Sequence, residues 1–281
     1  MNAMKKLKGY LNRPLSFAVF LLIIISTVIT ALTVVFIIGY IFIKGVPNLS
    51  LDLFSLKYSS ANQSMLPSII NTVYMTALTL LLAVPIGIFS AIYLAEYSRK
   101  NSFFVKIINI ANETLSGIPS IVYGLFGFLA FVISKKWGYS LLAGVITLAI
   151  MVLPLIIRTS QEAMLGVDNT FREASYGLGA GKLRTVFKIV LPSAMPGILS
   201  GIILAIGRIV GETAALIYTA GTVPEAATKL TSSSRTISVH LYCLLNEGLY
   251  TEQAYATAVV LIVFVVIINA LSNALAKKIM K

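Results

Sequence analysis

Six long apolar runs govern what this chain can become. They lie at 17–43, 69–94, 115–133, 139–157, 195–219 and 254–275. Each is close to or beyond the roughly 20 residues that carry an α-helix across a ~30 Å hydrocarbon core. Inside lipid, every backbone N–H and C=O must find its partner within the protein. Runs of this length meet that demand as helices, so the predicted fold class is an all-α integral membrane protein with six transmembrane helices. Composition agrees: 58% of the 281 residues are hydrophobic and only 11% charged, against about 25% charged in a soluble domain. The run at 17–43 follows a basic leader but exceeds the about 7–15 apolar residues of a cleaved signal, so a retained helix is expected. Residues 103–113 differ in kind. There Lys106, Asn109 and Glu113 recur at helical spacing on an apolar background, as in a helix lying at the membrane interface that feeds a short third crossing.

The basic residues are distributed unevenly between the two sides. Lys5, Lys6, Lys8, Arg13, Arg99, Lys100, Lys106, Arg158, Arg172, Lys182, Arg184, Lys188, Lys277, Lys278 and Lys281 fall on one side. Lys44, Lys57, Lys135, Lys136, Lys229 and Arg235 fall on the other, and Arg208 lies inside a span. The positive-inside rule then places both termini in the cytoplasm. The formal charge of +12 is explained by these loops, and no nucleic-acid partner is expected. Cys243 and His240 are single, so the chain offers neither a disulfide nor a cysteine–histidine metal set; no cofactor and no metal are expected. Three regions follow. Residues 1–68 form a basic segment, first helix and first external loop, 69–275 a five-helix core, and 276–281 a short tail.

The connection at 158–192 carries most of the local signal. Thr170 and Glu173 have the spacing of a capping box at a helix start. Gly179 stands where the chain must leave that helix, in a backbone conformation glycine tolerates best. A second short helix is expected over 182–190, closed by Pro192. Nearby, Gly177–Lys182 has the look of a phosphate loop. Tyr176 occupies the position of the required first glycine and Leu183 that of the required Ser/Thr, so no nucleotide site is encoded.

Within the fifth run, Arg208 and Glu212 stand one helical turn apart. A charge at the centre of a membrane helix costs roughly 2.5–3.5 kcal/mol on insertion scales, so it should be paired or face water. Two readings stay open. The pair neutralises itself or meets another subunit, or Arg208 presents its planar fork to a tetrahedral oxyanion while Glu212 orients it or takes a proton. Gly117 and Pro119 interrupt the helical ladder as the third run begins; a packing kink and a pathway-lining gate both fit. Residues 237–247 read equally as a short external helix or a loop, and 231–236 as a polar external loop.

Glu173, Ala174 and Ser175, then Gly179, then Ile189, Leu191 and Pro192 match the pattern E-A-A-x3-G-x9-I-x-L-P. On these residues the chain resembles permeases of type I ATP-binding-cassette (ABC) importers, with Ser175 where the family has alanine. The resemblance implies a MetI-like permease core. It also implies a cytoplasmic coupling helix, carried by Arg172, Glu173, Ala174, Ser175 and Gly179, that docks on a separate ATPase. The block 203–214, with Arg208, Glu212 and Thr213, looks like the fifth-span block of phosphate-specific permeases. Asn71–Thr72, 113–120 and 153–159 are similar too. These blocks resemble the A-type subunit most. That implies inorganic phosphate as cargo, with Arg208, Glu212 and Thr213 on its pathway, in a prokaryotic plasma membrane. The implied partners are a C-type permease as heterodimer partner, two copies of an ATP-binding subunit, an external phosphate-binding protein and membrane lipid. The chain itself is then a transport subunit and not an enzyme.

Overall fold

A computed structural model describes residues 14–98 and 102–279. Lys5, Lys6, Lys8, Arg13, Arg99, Lys100 and Lys281 lie outside the described residues. Helix α1 spans Pro14–Gly45, and two 3-10 turns follow at Val46–Asn48 and Leu51–Phe54. Helix α2, Leu66–Ile92, runs on through a wide π turn at Tyr93–Tyr97. Helices α3 (Phe103–Gly117) and α4 (Ser120–Gly127, prolonged by a π turn at Phe128–Ser134) form a bent pair. Then come α5 (Leu141–Leu165), α6 (Asn169–Gly177) and α7 (Lys182–Thr185). A π turn at Val186–Val190 leads into α8 (Leu191–Val210). Helices α9 (Ala214–Thr219), α10 (Ile237–Glu247) and α11 (Thr251–Ile279) complete the chain.

Five stretches are long and apolar enough to cross a membrane, and the bent pair makes a sixth at an angle of 101°. The structure corrects several sequence expectations. The fourth span ends at Leu165 and not at 157, so much of the expected 158–192 loop is helical. The fifth span begins at Lys182 and passes through Pro192 without stopping. Proline lacks an N–H and crowds the carbonyl four residues back. The π turn just before Leu191 loosens the ladder at that point. At its other end the fifth span breaks at 211–213, so the expected continuous helix to 219 is two pieces. Residues 237–247 are a complete helix, and Ser234, Arg235 and Thr236 of the expected polar loop are buried.

Helix α5 is the hub. It packs on α2, α8, α3, α4 and α9, and its Val145, Leu148, Met151, Val152 and Ile156 lie at the centre of the core. Small residues let the helices approach closely, the usual basis of packing where water cannot drive association. A methyl group on Gly124 of α4 would sit 2.8 Å from the Ala215 Cα of α9, and one on Gly201 of α8 would overlap Thr159 of α5. A second core cluster joins Ile92 of α2, Met164 of α5 and Val186, Val190, Ala194 and Ile198, directly beside the α6 loop. Helix α1 is different: it packs chiefly on α11, and its apolar side chains are exposed. The hydroxyls of Thr27, Thr30 and Thr33 donate to their own helix carbonyls at 2.8, 2.8 and 2.9 Å, which satisfies these donors within α1 itself.

Candidate functional site

The α6 loop is a bracket with a defined start, stop and brace. Asp168, not Thr170, caps α6: its carboxylate accepts from the Thr170 backbone N–H at 2.9 Å and the Thr170 hydroxyl at 3.0 Å. These bonds hold the Asp168 carboxyl below its ordinary range. The expected capping box is absent because the helix starts two residues too early for Thr170 to be its cap. Glu173 is therefore free of that task and exposed, as is Ala174.

The helix ends as the glycine predicted. Gly179 has φ of +82°, the Ala180 N–H reaches the Ser175 carbonyl at 3.1 Å, and the Gly179 N–H reaches Tyr176 at 2.9 Å. This is the Schellman arrangement that satisfies a helix's last carbonyls. Ser175 is buried and shares a 2.8 Å hydrogen bond with Thr185 of α7. The position that departs from the alanine pattern thus braces the two helices with a hydroxyl pair. Phe171, Tyr176, Leu178 and Leu183 are exposed around the elbow, with Leu178 90% accessible.

Arg172 fastens the bracket. Its Nε and Nη2 donate to Glu96 Oε1 at 3.0 and 2.7 Å, Nη2 also to the Met164 carbonyl at 2.8 Å, and Nη1 to the Val167 carbonyl at 2.7 Å. The side chains of Arg172 and Glu96 are 14% and 6% exposed. Sequence reasoning missed Glu96, because a partner 76 residues away leaves no local pattern.

Arg208 and Glu212 do not form the expected pair. Helix α8 ends at Val210, and Glu212, 8% exposed, turns its Oε1 to the Ala215 N–H at 3.0 Å, capping α9 across the break. That carboxylate oxygen is committed to α9, and no Arg208–Glu212 ion pair forms among the described residues. Thr213 occupies the break itself, as the residue before α9. Arg208 is half-buried, with no ion pair or hydrogen bond among the described residues. It lines a groove of about 550 Å³ together with Leu155, Ser200, Gly207 and Asn269. Asn269 was missed, although an amide inside the last apolar run was a visible signal.

The break at Gly117 and Pro119 separates α3 from α4. Ile118 is extended at φ −72°, ψ 130°, as a residue before proline must be. Tyr123 donates to the Leu115 carbonyl at 2.7 Å, and that carbonyl also accepts from the Ile118 N–H at 3.2 Å. Gly117 and Pro119 themselves are exposed on the surface of the chain.

At the other end of α2, Asn71 holds the 221–236 segment. Its amide donates to the Glu225 and Arg235 carbonyls at 2.9 and 3.2 Å and accepts from Ala227 at 2.8 Å. Thr72 accepts from the Ile237 N–H at 2.9 Å. Arg235, 4% exposed, stacks on Tyr58 at 4.8 Å, while its Nε and Nη2 find no hydrogen-bond partner among the described residues. Neighbouring His240 is fully buried, and neither ring nitrogen has a well-formed bond. Burial first, and the Arg235 charge second, push its pKa down to about 3, against a weak opposing pull from the Gln63 backbone.

Residues 83–281 match the family model described as "Binding-protein-dependent transport system inner membrane component". The chain belongs to that family. This permease is 32% identical over 249 residues to the "Probable ABC transporter permease protein YqgI" of Bacillus subtilis (strain 168), covering 82% of this chain and 84% of the relative. It is 35% identical over 230 residues to the "Phosphate transport system permease protein PstA" of Pasteurella multocida (strain Pm70), covering 80% and 81%. Its fold is that of a type I ABC importer permease. The chain superposes on a chain of a bacterial ABC transporter involved in the import of the acidic polysaccharide alginate with TM-score 0.67 at 18% identity, covering 99% of this chain and 100% of that one. The inward-facing MetNI methionine ABC transporter gives TM-score 0.58 at 17% identity, covering 76% and 94%.

Proposed function

We propose that this chain is the A-type permease subunit of an ATP-driven importer of inorganic phosphate. The observation that carries the reading is Arg208: a half-buried guanidinium without a carboxylate partner, on the wall of a groove at span depth. A cation held this way in a span costs free energy unless it serves a pathway or partner, and its fork suits a phosphate oxyanion. The likeness to phosphate transport permeases supports the same cargo. In this reading Arg208 and Thr213 line the pathway, joined by Asn269. Glu212 fixes the break beneath them, and Gly117 and Pro119 form a hinge or gate.

The α6 loop faces the cytoplasm, with both termini on that side. Arg172, Glu173, Ala174, Ser175 and Gly179 shape the lever that meets a separate ATP-binding subunit, present in two copies. A C-type permease completes the pathway, and an external phosphate-binding protein delivers the cargo. ATP is hydrolysed on the other chain, and this one carries no nucleotide site.

The test is uptake of radiolabelled phosphate by vesicles holding the whole assembly, with and without ATP and with sulfate as competitor. Uptake that requires ATP and resists sulfate is expected. Arg208→Ala should assemble normally and lower uptake by at least about thirty-fold, the scale of losing one partner of a desolvated ionic contact. Transport at the native rate by that variant would remove Arg208 from the pathway.

A further inference from the structure

The α6 bracket is tied to the rest of the chain by little covalent structure. It leaves α5 at Gly166–Asp168, and its exit passes through the Gly179 elbow. Such links swing unless something braces them. One brace is the Ser175–Thr185 bond to α7. The other is Arg172, whose guanidinium engages three elements at once: Glu96 on the π turn that ends α2, the Met164 carbonyl at the end of α5, and the Val167 carbonyl in the turn. The α2 turn is itself closed by the Ser98 N–H on the Tyr93 carbonyl at 2.9 Å. It also holds Tyr97, over whose ring Lys182 of α7 sits at 4.9 Å.

We propose that Glu96 is a positioning residue for energy coupling: by clamping Arg172 it makes α6, the end of α2 and the end of α5 move as one body. This rests on reading the α6 loop as the lever that meets the ATPase. Glu96 is too deeply placed to touch a docked subunit itself, with only 6% of its side chain exposed. Its influence must therefore pass through Arg172. A rigid element displaced as a unit transmits force into packed helices, whereas a loose one absorbs it. Without the carboxylate, Arg172 keeps its bonds to the Met164 and Val167 carbonyls but loses its direct hold on the end of α2. Two long helices of the core would then lose their shared drive from the lever.

The readout is phosphate moved per ATP hydrolysed, in vesicles carrying the whole complex. Glu96→Gln keeps size and hydrogen-bonding capacity but loses the charge that gathers two guanidinium nitrogens. It should retain the ATPase subunit and still hydrolyse ATP, while phosphate per ATP falls by roughly five-fold, within the range by which mutations modulate coupling between sites. Glu96→Asp, which keeps the charge, should recover part of that loss. Arg172→Lys probes the same joint from the other side and carries the test if Glu96→Gln does not assemble: the same fall is expected. A native ratio in the assembled variants overturns the proposal. If the unmodified complex shows no ATP-driven uptake, the coupling reading fails instead, and the two failures are told apart by that control.

Discussion

Arg172 and Arg235 sit near opposite ends of α2, and both are largely withdrawn from solvent. Their surroundings differ completely. Arg172 meets a carboxylate and two carbonyls. Arg235 lies on an aromatic face, beside an imidazole kept neutral and a thiol whose pKa burial raises, with two nitrogens unpaired. A desolvated charge that is fully paired fixes the geometry of everything it touches, while one left unpaired makes its closed surroundings costly to maintain. The lever end of the chain is accordingly a joint. The far end is a cover, held by Asn71 and Thr72 but opposed by the charge beneath it.

Removing each arginine's charge tests this contrast most strongly. Arg172→Met strands Glu96 and should destabilise the protein by about 3–5 kcal/mol, the scale of breaking a buried pair. Arg235→Met replaces an unpaired charge by a side chain of similar length. It should leave stability unchanged or raise it by up to about 4 kcal/mol. Thermal midpoints of the two purified variants in the same detergent are the measurement, and equal losses would erase the distinction between joint and cover.

A smaller effect sharpens the description of the cover. His240 binds its proton far more weakly in the folded chain, at about 3, than at the ordinary value near 6.5. The unfolded or opened state therefore takes up more protons across that window, so the stability contributed by neutral His240 is present above pH 6.5 and lost as pH falls toward 3. Hydrogen exchange of the α10 amides, corrected for its intrinsic pH dependence, should accelerate on acidification within this window. His240→Phe, which keeps an aromatic ring against Tyr58, should remove the acceleration. Persistence of the same dependence in that variant would assign it elsewhere.

The spans were legible because lipid imposes one simple rule, although the fourth runs on to Leu165 and the fifth starts at Lys182 and breaks at 211–213. Gly179 and the break at Pro119 were legible for a similar reason: backbone chemistry at one residue decides each of them. What escaped was of two kinds. Helix continuity through Pro192 depends on a π turn that no residue type announces, and the true cap at Asp168 differs from the expected one by two positions in a segment rich in capping side chains. The Arg172–Glu96 clamp and the turn of Glu212 toward Ala215 depend on tertiary placement, which periodicity within a single helix does not encode. Arg208 and Glu212 show the consequence. Correct i, i+4 spacing paired them on a continuous helix, and the break at 211–213 parted them.

The central claim is that an exposed lever on α6 carries work from an ATPase into the helices. Glu173 is the residue to reverse, since it is exposed, caps nothing, and lies at the heart of the lever. Uptake of radiolabelled phosphate driven by ATP should vanish in vesicles bearing Glu173→Lys, while the variant permease still inserts and retains its permease partner. Uptake at the native rate in those vesicles would contradict the account.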